Sequence, residues 1–243
     1  MANKHGKKYL EAASKVDRSR DYSPDEAVTL VKETSFTKFD ATVEAHLRLG
    51  IDPRHADQQV RSTVTLPHGS GRSVRVLVFA KGDAERIARD AGADYVGGDD
   101  LIQRIAKEEW TDFDVAIATP DMMGDIGRAG LGRILGRRGL MPNPKSGTVV
   151  PAPDLPRVLG EVRRGKVEFR NDKTGLLHVV IGKVSFQPNQ IRDNFAALMD
   201  AVKNAKPSGA KGVYIKSVTL TSTMGPGVSV ETAAAQNMEA PAA

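Results

Sequence analysis

The amino-acid sequence predicts an α+β discontinuous domain (antiparallel sheet with helices), interrupted by an inserted α/β domain with a parallel, Rossmann-like three-layer core. Three observations predict it. Apolar and polar residues alternate with period two near both ends of the chain, at 39–49, 166–184 and 212–220, as half-buried antiparallel strands require. Between 74 and 128, short apolar runs alternate with helical stretches, the pattern of parallel βαβ units. Gly and Pro gather where the two styles meet, in Pro67-His68-Gly69-Ser70-Gly71 and from Met141-Pro142-Asn143-Pro144 to Val150-Pro151-Ala152-Pro153. The expected boundaries are 1–68 plus 161–231 for the discontinuous domain, 69–160 for the insert and 232–243 for a flexible tail, with a two-strand hinge at the junctions.

Each element has a local reason. Lys4–Arg20 reads as a weak helix. The next helix opens on Ser23 as N-cap, Pro24 at the first helical position and Glu26 completing a capping box. From Phe39 to Leu49, Phe39, Ala41, Val43, Ala45, Leu47 and Leu49 face one way, and Asp40, Thr42, Glu44, His46 and Arg48 the other. A strand over Val60–Leu66 follows. The insert then runs strand Val74–Ala80, helix Ala84–Ala91, strand Asp94–Val96, helix Asp100–Glu109, strand Phe113–Ala118 and a helix after Asp121. A helix over Leu155–Arg164 precedes a hairpin of Lys166–Arg170 and Leu176–Val184 around Asn171-Asp172-Lys173-Thr174-Gly175. Ile191, Phe195, Leu198, Met199 and Val202 stripe an amphipathic helix over Asn189–Asn204. The last strand, Gly212–Leu220, slips its alternation between Ile215 and Val218, which predicts a bulge.

A chain of 243 residues buries roughly 70–75% of its unfolded surface, so it needs no staple. The absence of Cys excludes disulfides, thiolate zinc sites, iron–sulfur ligation and cysteine nucleophiles. No apolar run approaches the ~20 residues of a bilayer span, so neither membrane nor export is expected. The net charge of +5 is modest, but its distribution is informative. Residues 1–70 carry 11 basic and 10 acidic side chains, 71–160 carry 13 and 13, and 161–243 carry 11 and 7. Inside the neutral middle, 71–125 holds 7 basic and 12 acidic residues, whereas 126–160 holds 6 and 1. That basic stretch contains Arg128, Arg133, Arg137, Arg138 and Lys145, interleaved with Gly127, Gly130, Gly132, Gly136 and Gly139. Two readings stand: a solvated face, or a surface whose glycines let backbone N–H groups approach phosphate.

Enzyme signatures fail. The Gly127–Gly132 run lacks the dinucleotide-binding order, Gly182-Lys183 is followed by Val184 and forms no Walker motif, and Gly69-Ser70-Gly71 lacks nucleophile-elbow spacing. His46 and His55 are nine residues apart, no metal-ligand spacing, and His46 reads as an ordinary exposed histidine beside Glu44 and Arg48. No cofactor or metal is expected. The 5% aromatic content argues against a broad base-stacking platform. The hydroxyl- and glycine-rich segment Thr221–Gly227, at a strand end, reads either as a polar turn or as a donor of hydroxyl and N–H contacts to RNA sugars.

Several segments, in order, resemble one family. They are Lys38-Phe39-Asp40-Ala41-Thr42-Val43-Glu44, Leu49-Gly50-Ile51-Asp52-Pro53, Asp57-Gln58-Gln59-Val60-Arg61 and Ala93-Asp94-Tyr95-Val96-Gly97-Gly98. Gly132-Arg133-Ile134-Leu135-Gly136, Leu140-Met141-Pro142-Asn143-Pro144-Lys145, Phe169-Arg170-Asn171-Asp172-Lys173-Thr174-Gly175 and Thr221-Ser222-Thr223-Met224-Gly225-Pro226 complete the set. Over nearly the whole chain, to about Val230, the sequence resembles the universal large-subunit ribosomal proteins of the L-one stalk in their bacterial form. The resemblance implies a non-enzymatic, cytoplasmic component of the large subunit, monomeric outside the ribosome. Its partners would be large-subunit ribosomal RNA, the exit-site tRNA whose release the mobile stalk assists, and the messenger of its own operon, which it represses. The family's RNA contacts carry over to Lys38, Phe39, Thr42, Glu168, Arg170, Thr223, Met224 and Gly225. Arg128, Arg133, Arg137, Arg138 and Lys145 are candidates for transient contact with rRNA or tRNA. Two rival classes remain: an enzyme built on the insert, and a free regulatory RNA-binding protein.

Overall fold

A computed structural model describes residues 5–239. Two compact units emerge from its contacts: the first runs to Gly71 and resumes at Arg164, and the second spans Arg72–Arg163.

The first unit opens with helices α1 (Lys7–Ser14) and α2 (Pro24–Glu33). The part of the first expected helix at Lys4 lies outside the described residues. The capping box forms: Ser23 Oγ accepts from Glu26 N, and the Glu26 carboxylate accepts from Ser23 N at 3.2 Å. Strand β1 (Thr42–Leu49) then sits inside a four-stranded sheet between β7 (Leu176–Lys183) and β8 (Ile215–Ser222), with β9 (Val228–Val230) at the edge beyond β8. All neighbours are antiparallel. Val43, Ala45, Leu47 and Leu49 are buried, and they meet Val28 and Val31 of α2 and Ile191, Phe195, Leu198, Met199 and Val202 of α8 (Pro188–Asn204) in one cluster. Each large side chain so buried contributes about 1.5–3 kcal/mol. Thr42, Glu44, His46 and Arg48 face outward. Asn194, fully buried on α8, is satisfied: it donates to the Gly69 and Ile181 carbonyls at 2.8 Å and accepts from His68 N at 3.0 Å. The expected bulge is present, because Arg48 pairs with Ser217 and Leu49 with Ile215.

In the second unit, β3 (Val76–Phe79) lies between β4 (Tyr95–Gly97) and β5 (Val115–Ala118), and both pairings are parallel. Leu77 and Phe79 enter one cluster with Ile105, Met122, Ile126, Leu131 and Leu135. Val76 and Val78 enter another with Ala88, Leu155, Val158, Leu159 and Val162. Both sheet faces are therefore covered, on one side by α4 (Asp99–Glu108), α5 (Met122–Arg128) and α6 (Gly132–Arg138), on the other by α3 (Asp83–Asp90) and α7 (Leu155–Arg164). This is the three-layer arrangement the continuous apolar strands require.

Three expectations need correction. Phe39 does not join the buried face of β1. The strand begins only at Thr42, after a bend, and Phe39 is 59% exposed. The two strands flanking Asn171–Gly175 do not pair as a hairpin. β6 (Lys166–Arg170) pairs with β2 (Arg61–Thr65) in a separate two-stranded sheet, while β7 pairs with β1. Asn171 explains the exchange, since its N–H donates to the Val60 carbonyl and its Oδ1 accepts from Val60 N at 2.7 Å, fastening the end of β6 to β2. The helix expected after Asp121 is α5, and a second short helix, α6, continues the glycine-rich basic run, with Ile126, Leu131 and Leu135 fully buried beneath it. Finally, the segment expected as a flexible tail begins with helix α9 (Thr232–Gln236), held by buried Ala235 and by the Lys203 ammonium on the Gln236 carbonyl at 3.0 Å. Ala240–Ala243 of that expected tail lie outside the described residues.

Candidate nucleic-acid interface

At one end of the larger sheet the start of β1 and the end of β8 come together. Val43 pairs with Ser222, so the next residues out, Thr42 and Thr223, meet beyond the last rung. Thr223 N donates to the Thr42 carbonyl at 2.9 Å, and Thr42 N donates to Thr223 Oγ1 at 3.0 Å. That clasp forces the chain to turn sharply. Met224 adopts φ +67°, a left-handed conformation that costs an L-residue roughly 1–2 kcal/mol. Gly225 N closes the turn on the Ser222 carbonyl at 2.8 Å, and a Cβ at Gly225 would collide with Ser222 Oγ, so only glycine fits without displacement. The Met224 side chain is left 68% exposed. Phe39 lies on the bend leading into β1, its carbonyl accepting from Thr37 Oγ1 at 3.0 Å. Phe39 and Met224 are two of the four large apolar side chains exposed among the described residues, and both belong to this sheet end.

Lys183, opposite Thr42 across β7, places its ammonium on Thr42 Oγ1 at 2.9 Å. Asp40 binds Ser185 through both backbone N–H (3.0 Å) and hydroxyl (2.9 Å). Lys38 is exposed beside them. The structure thus gathers Lys38, Phe39, Thr42, Thr223, Met224 and Gly225 at this sheet end, cationic at Lys38 and Lys183 and uncharged along the turn itself.

Glu168 and Arg170 are not part of that gathering. Both project from β6, where Arg170 pairs in register with Arg61 and Glu168 forms an ion pair with the Arg61 guanidinium. They line a groove of about 750 Å³ with Asn171, Lys173 and His178. His178 in turn lies opposite His46, four residues along β1 from Thr42, or about 13 Å at the rise of a strand.

The five candidates of the second unit sit on α5, α6 and the turn after them. Arg128 is 82% exposed but ion-paired to Asp125, whose carboxylate also holds Lys81 at 2.8 Å. Lys81 then Arg128 keep the Asp125 carboxyl below the ordinary carboxylate value. Arg137 returns its guanidinium to the Arg133 carbonyl at 3.0 Å, and Arg138 bonds Thr111 Oγ1. Arg133 and Lys145 are exposed. A Cβ added at Gly127, Gly130, Gly132 or Gly136 would meet nothing within 4 Å, so this surface is low and open.

Residue order alone missed Lys183, Asp40, Ser185 and Arg61. Each reaches the site across a strand register, and no local spacing announces such a register.

A sheet end with an exposed, strained hydroxyl–methionine–glycine turn, on a chain that also carries a parallel α/β unit, defines a two-unit protein built for contact rather than for chemistry. The chain matches the family described as Ribosomal protein L1p/L10e over residues 31–226. It is 73% identical over 237 residues to the "Large ribosomal subunit protein uL1" of Chloroflexus aurantiacus strain J-10-fl, covering 98% of this chain and 99% of that protein. It is 71% identical over 236 residues to the protein of the same name from Chloroflexus aggregans, covering 97% and 99%. The chain belongs to the ribosomal protein L1p/L10e family, whose members are structural ribosomal proteins and not enzymes. Among the described residues, no helix is long and apolar enough to cross a membrane.

Proposed function

We propose that this chain binds large-subunit ribosomal RNA through the sheet end at Thr42 and Thr223, within the mobile stalk beside the tRNA exit site. The supporting observation is the Met224 turn. The fold holds a non-glycine residue in the left-handed region with its side chain exposed, at the sheet end that the exposed Phe39 leads into, a strained and open arrangement suited to a partner. Phe39 and Met224 lie against RNA surfaces and exclude water. Lys38, Lys183 and Arg170 supply phosphate attraction, and with it the salt dependence. The Thr223 hydroxyl has a different task from direct contact. It already accepts from Thr42 N and sits 3.3 Å from the Thr42 carbonyl, so it holds the turn in shape for its neighbours.

Arg133, Arg137, Arg138 and Lys145 make transient contacts with tRNA leaving the ribosome. The same sheet end binds a mimic of the ribosomal site in the operon's own messenger and represses its translation. Filter binding to a large-subunit rRNA fragment tests the first claim. Thr223→Ala and Met224→Ala are each expected to weaken binding by about tenfold, the worth of one or two lost close contacts. The slope of affinity against salt stays unchanged, because no charge is removed. Unchanged affinity in both variants refutes the assignment. Sucrose-gradient sedimentation of a lysate separates the stalk from the rival reading: the chain is expected with the large subunit, whereas a free regulator stays near the top.

A further inference from the structure

We propose that His46 and His178 form a binding site for a divalent transition metal of the zinc, nickel or copper class. The two residues stand directly opposite each other on β1 and β7, on the outward face of the sheet. Their Nδ1 atoms are 2.7 Å apart and the rings meet edge-on, with centroids 4.9 Å apart and planes at 62°. The outer nitrogens face carboxylates. Glu44 Oε2 lies 3.7 Å from His46 Nε2, and Asp172 Oδ2 lies 3.9 Å from His178 Nε2. Asp172 is locked in place, because its carboxylate accepts from Leu176 N and Thr174 N, each at 2.8 Å, and from the Thr174 hydroxyl. Those bonds, the Leu176 N–H first and the Thr174 hydroxyl next, hold its carboxyl below the usual range and keep it charged.

The chemistry follows from the tautomers. A carboxylate facing Nε2 favours the proton there and leaves Nδ1 as a lone pair. With a carboxylate near each outer nitrogen, the two Nδ1 lone pairs are turned toward one another. A proton on one Nδ1 joins the rings in a single N–H···N hydrogen bond at 2.7 Å. A metal ion satisfies both, at about 2.0–2.1 Å from each nitrogen, with the nitrogens opening to about 3.3 Å in tetrahedral geometry. Carboxylates behind metal-bound imidazoles are the usual outer support of such sites. Imidazole donors select copper, nickel and zinc over magnesium. The protein supplies two ligands, since no group of three or more His, Cys, Asp or Glu gathers around a metal position among the described residues. The remaining positions are open to water. Other charges and polar groups nearby are Arg48 on β1, Thr219 opposite His46 on β8, Lys173 on the turn, and Arg61, Glu168 and Arg170 along the groove that His178 lines.

Zinc chloride and nickel chloride titrated into the untagged full chain test the site without RNA, so the result is independent of the proposed rRNA contact. Calorimetry at pH 7.5 is expected to show one saturable site, and proton spectra to move the His46 and His178 ring signals first. His46→Gln and His178→Gln each weaken binding at least tenfold, with circular dichroism showing an intact fold. Asp172→Asn weakens it by about tenfold, and His55→Gln and His68→Gln leave it unchanged. Binding falls as pH drops from 7.5 to 5.5, as protons displace the metal. No saturable binding, wild-type affinity in the His46 or His178 variant, or simultaneous movement of the His55 and His68 signals overturns the proposal and leaves a pair sharing one proton.

Discussion

The sheet end of the first unit and the α5–α6 surface of the second answer a polyanion in opposite ways. At the sheet end the turn is uncharged, its Thr221 and Thr223 hydroxyls are engaged within the protein, and its shape is held by the Thr42–Thr223 clasp at 2.9 and 3.0 Å. On α5 and α6, four arginines project from two short helices, over glycines with open space around them. A rigid surface discriminates by shape, with salt dependence only from the lysines beside it. A set of long cations on a low surface attracts any phosphate, and its affinity depends strongly on salt. On the proposed function, durable recognition belongs to the first region and brief contact to the second.

The sharpest way to break that contrast is charge reversal on α6. The double variant Arg137→Glu, Arg138→Glu changes the local charge by four without touching the sheet end. Release of deacylated tRNA from loaded ribosomes is expected to slow by about tenfold, as an electrostatic contact becomes repulsive. Affinity for the rRNA fragment stays within about twofold. Loss of rRNA binding in this variant would erase the distinction between the two regions.

How much of this was legible in residue order depends on the range of the interaction. The Ser23-Pro24-Glu26 start, the Ile191-to-Val202 stripe and the bulge before Val218 are local patterns, and the structure reproduces them. β6 is the counterexample. A five-residue turn between two alternating runs looks like a hairpin, but Asn171 fastens β6 to a strand more than a hundred residues earlier. Phe39 is another case. Its alternation continues that of β1, so period two places it in the core, yet the backbone bends before Thr42 and leaves it in water. The basic glycine run was visible as charge, and its start as the helix after Asp121, but glycine's low helix propensity hides α6 until Leu131 and Leu135 are seen buried there. Lys183 at Thr42 and His178 at His46 required the β1–β7 register, which only the folded sheet provides.

A smaller effect probes the strain itself. Among the described residues two non-glycine residues have positive φ: Met224 on the candidate interface and Glu109 at the C-terminus of α4. Glycine relieves the left-handed cost at either position, so Met224→Gly and Glu109→Gly are each expected to stabilise the chain by about 1 kcal/mol. Urea unfolding measures this. Only Met224→Gly should lose rRNA affinity, since it alone also removes an exposed side chain from the interface. Equal loss in both would mean that stability, not local shape, governs binding.

The smallest effect lies away from both regions, in the ion cluster that joins the start of β3 to the start of β5. Asp114 accepts from Arg72 at 2.8 Å, from Arg75 N at 3.1 Å and from the Arg75 guanidinium at 3.2 Å. Burial pushes its carboxyl up, but the Arg75 hydrogen bonds and the two arginine charges outweigh burial and hold it below the usual carboxylate value. A carboxyl lowered in the folded state stabilises fully above its unfolded pKa of about 3.9 and loses that contribution as pH falls through the lower folded value. Asp114→Asn is therefore expected to cost under about 1 kcal/mol at pH 7, in keeping with a partly exposed ion pair. By pH 2 to 2.5 most of the difference from wild type should be gone. The matching check is the sheet end, where Thr223→Ala removes no charge. Its effect on stability should be the same at both pH values, so that the paired carboxylate is acid-sensitive and the hydroxyl clasp is not.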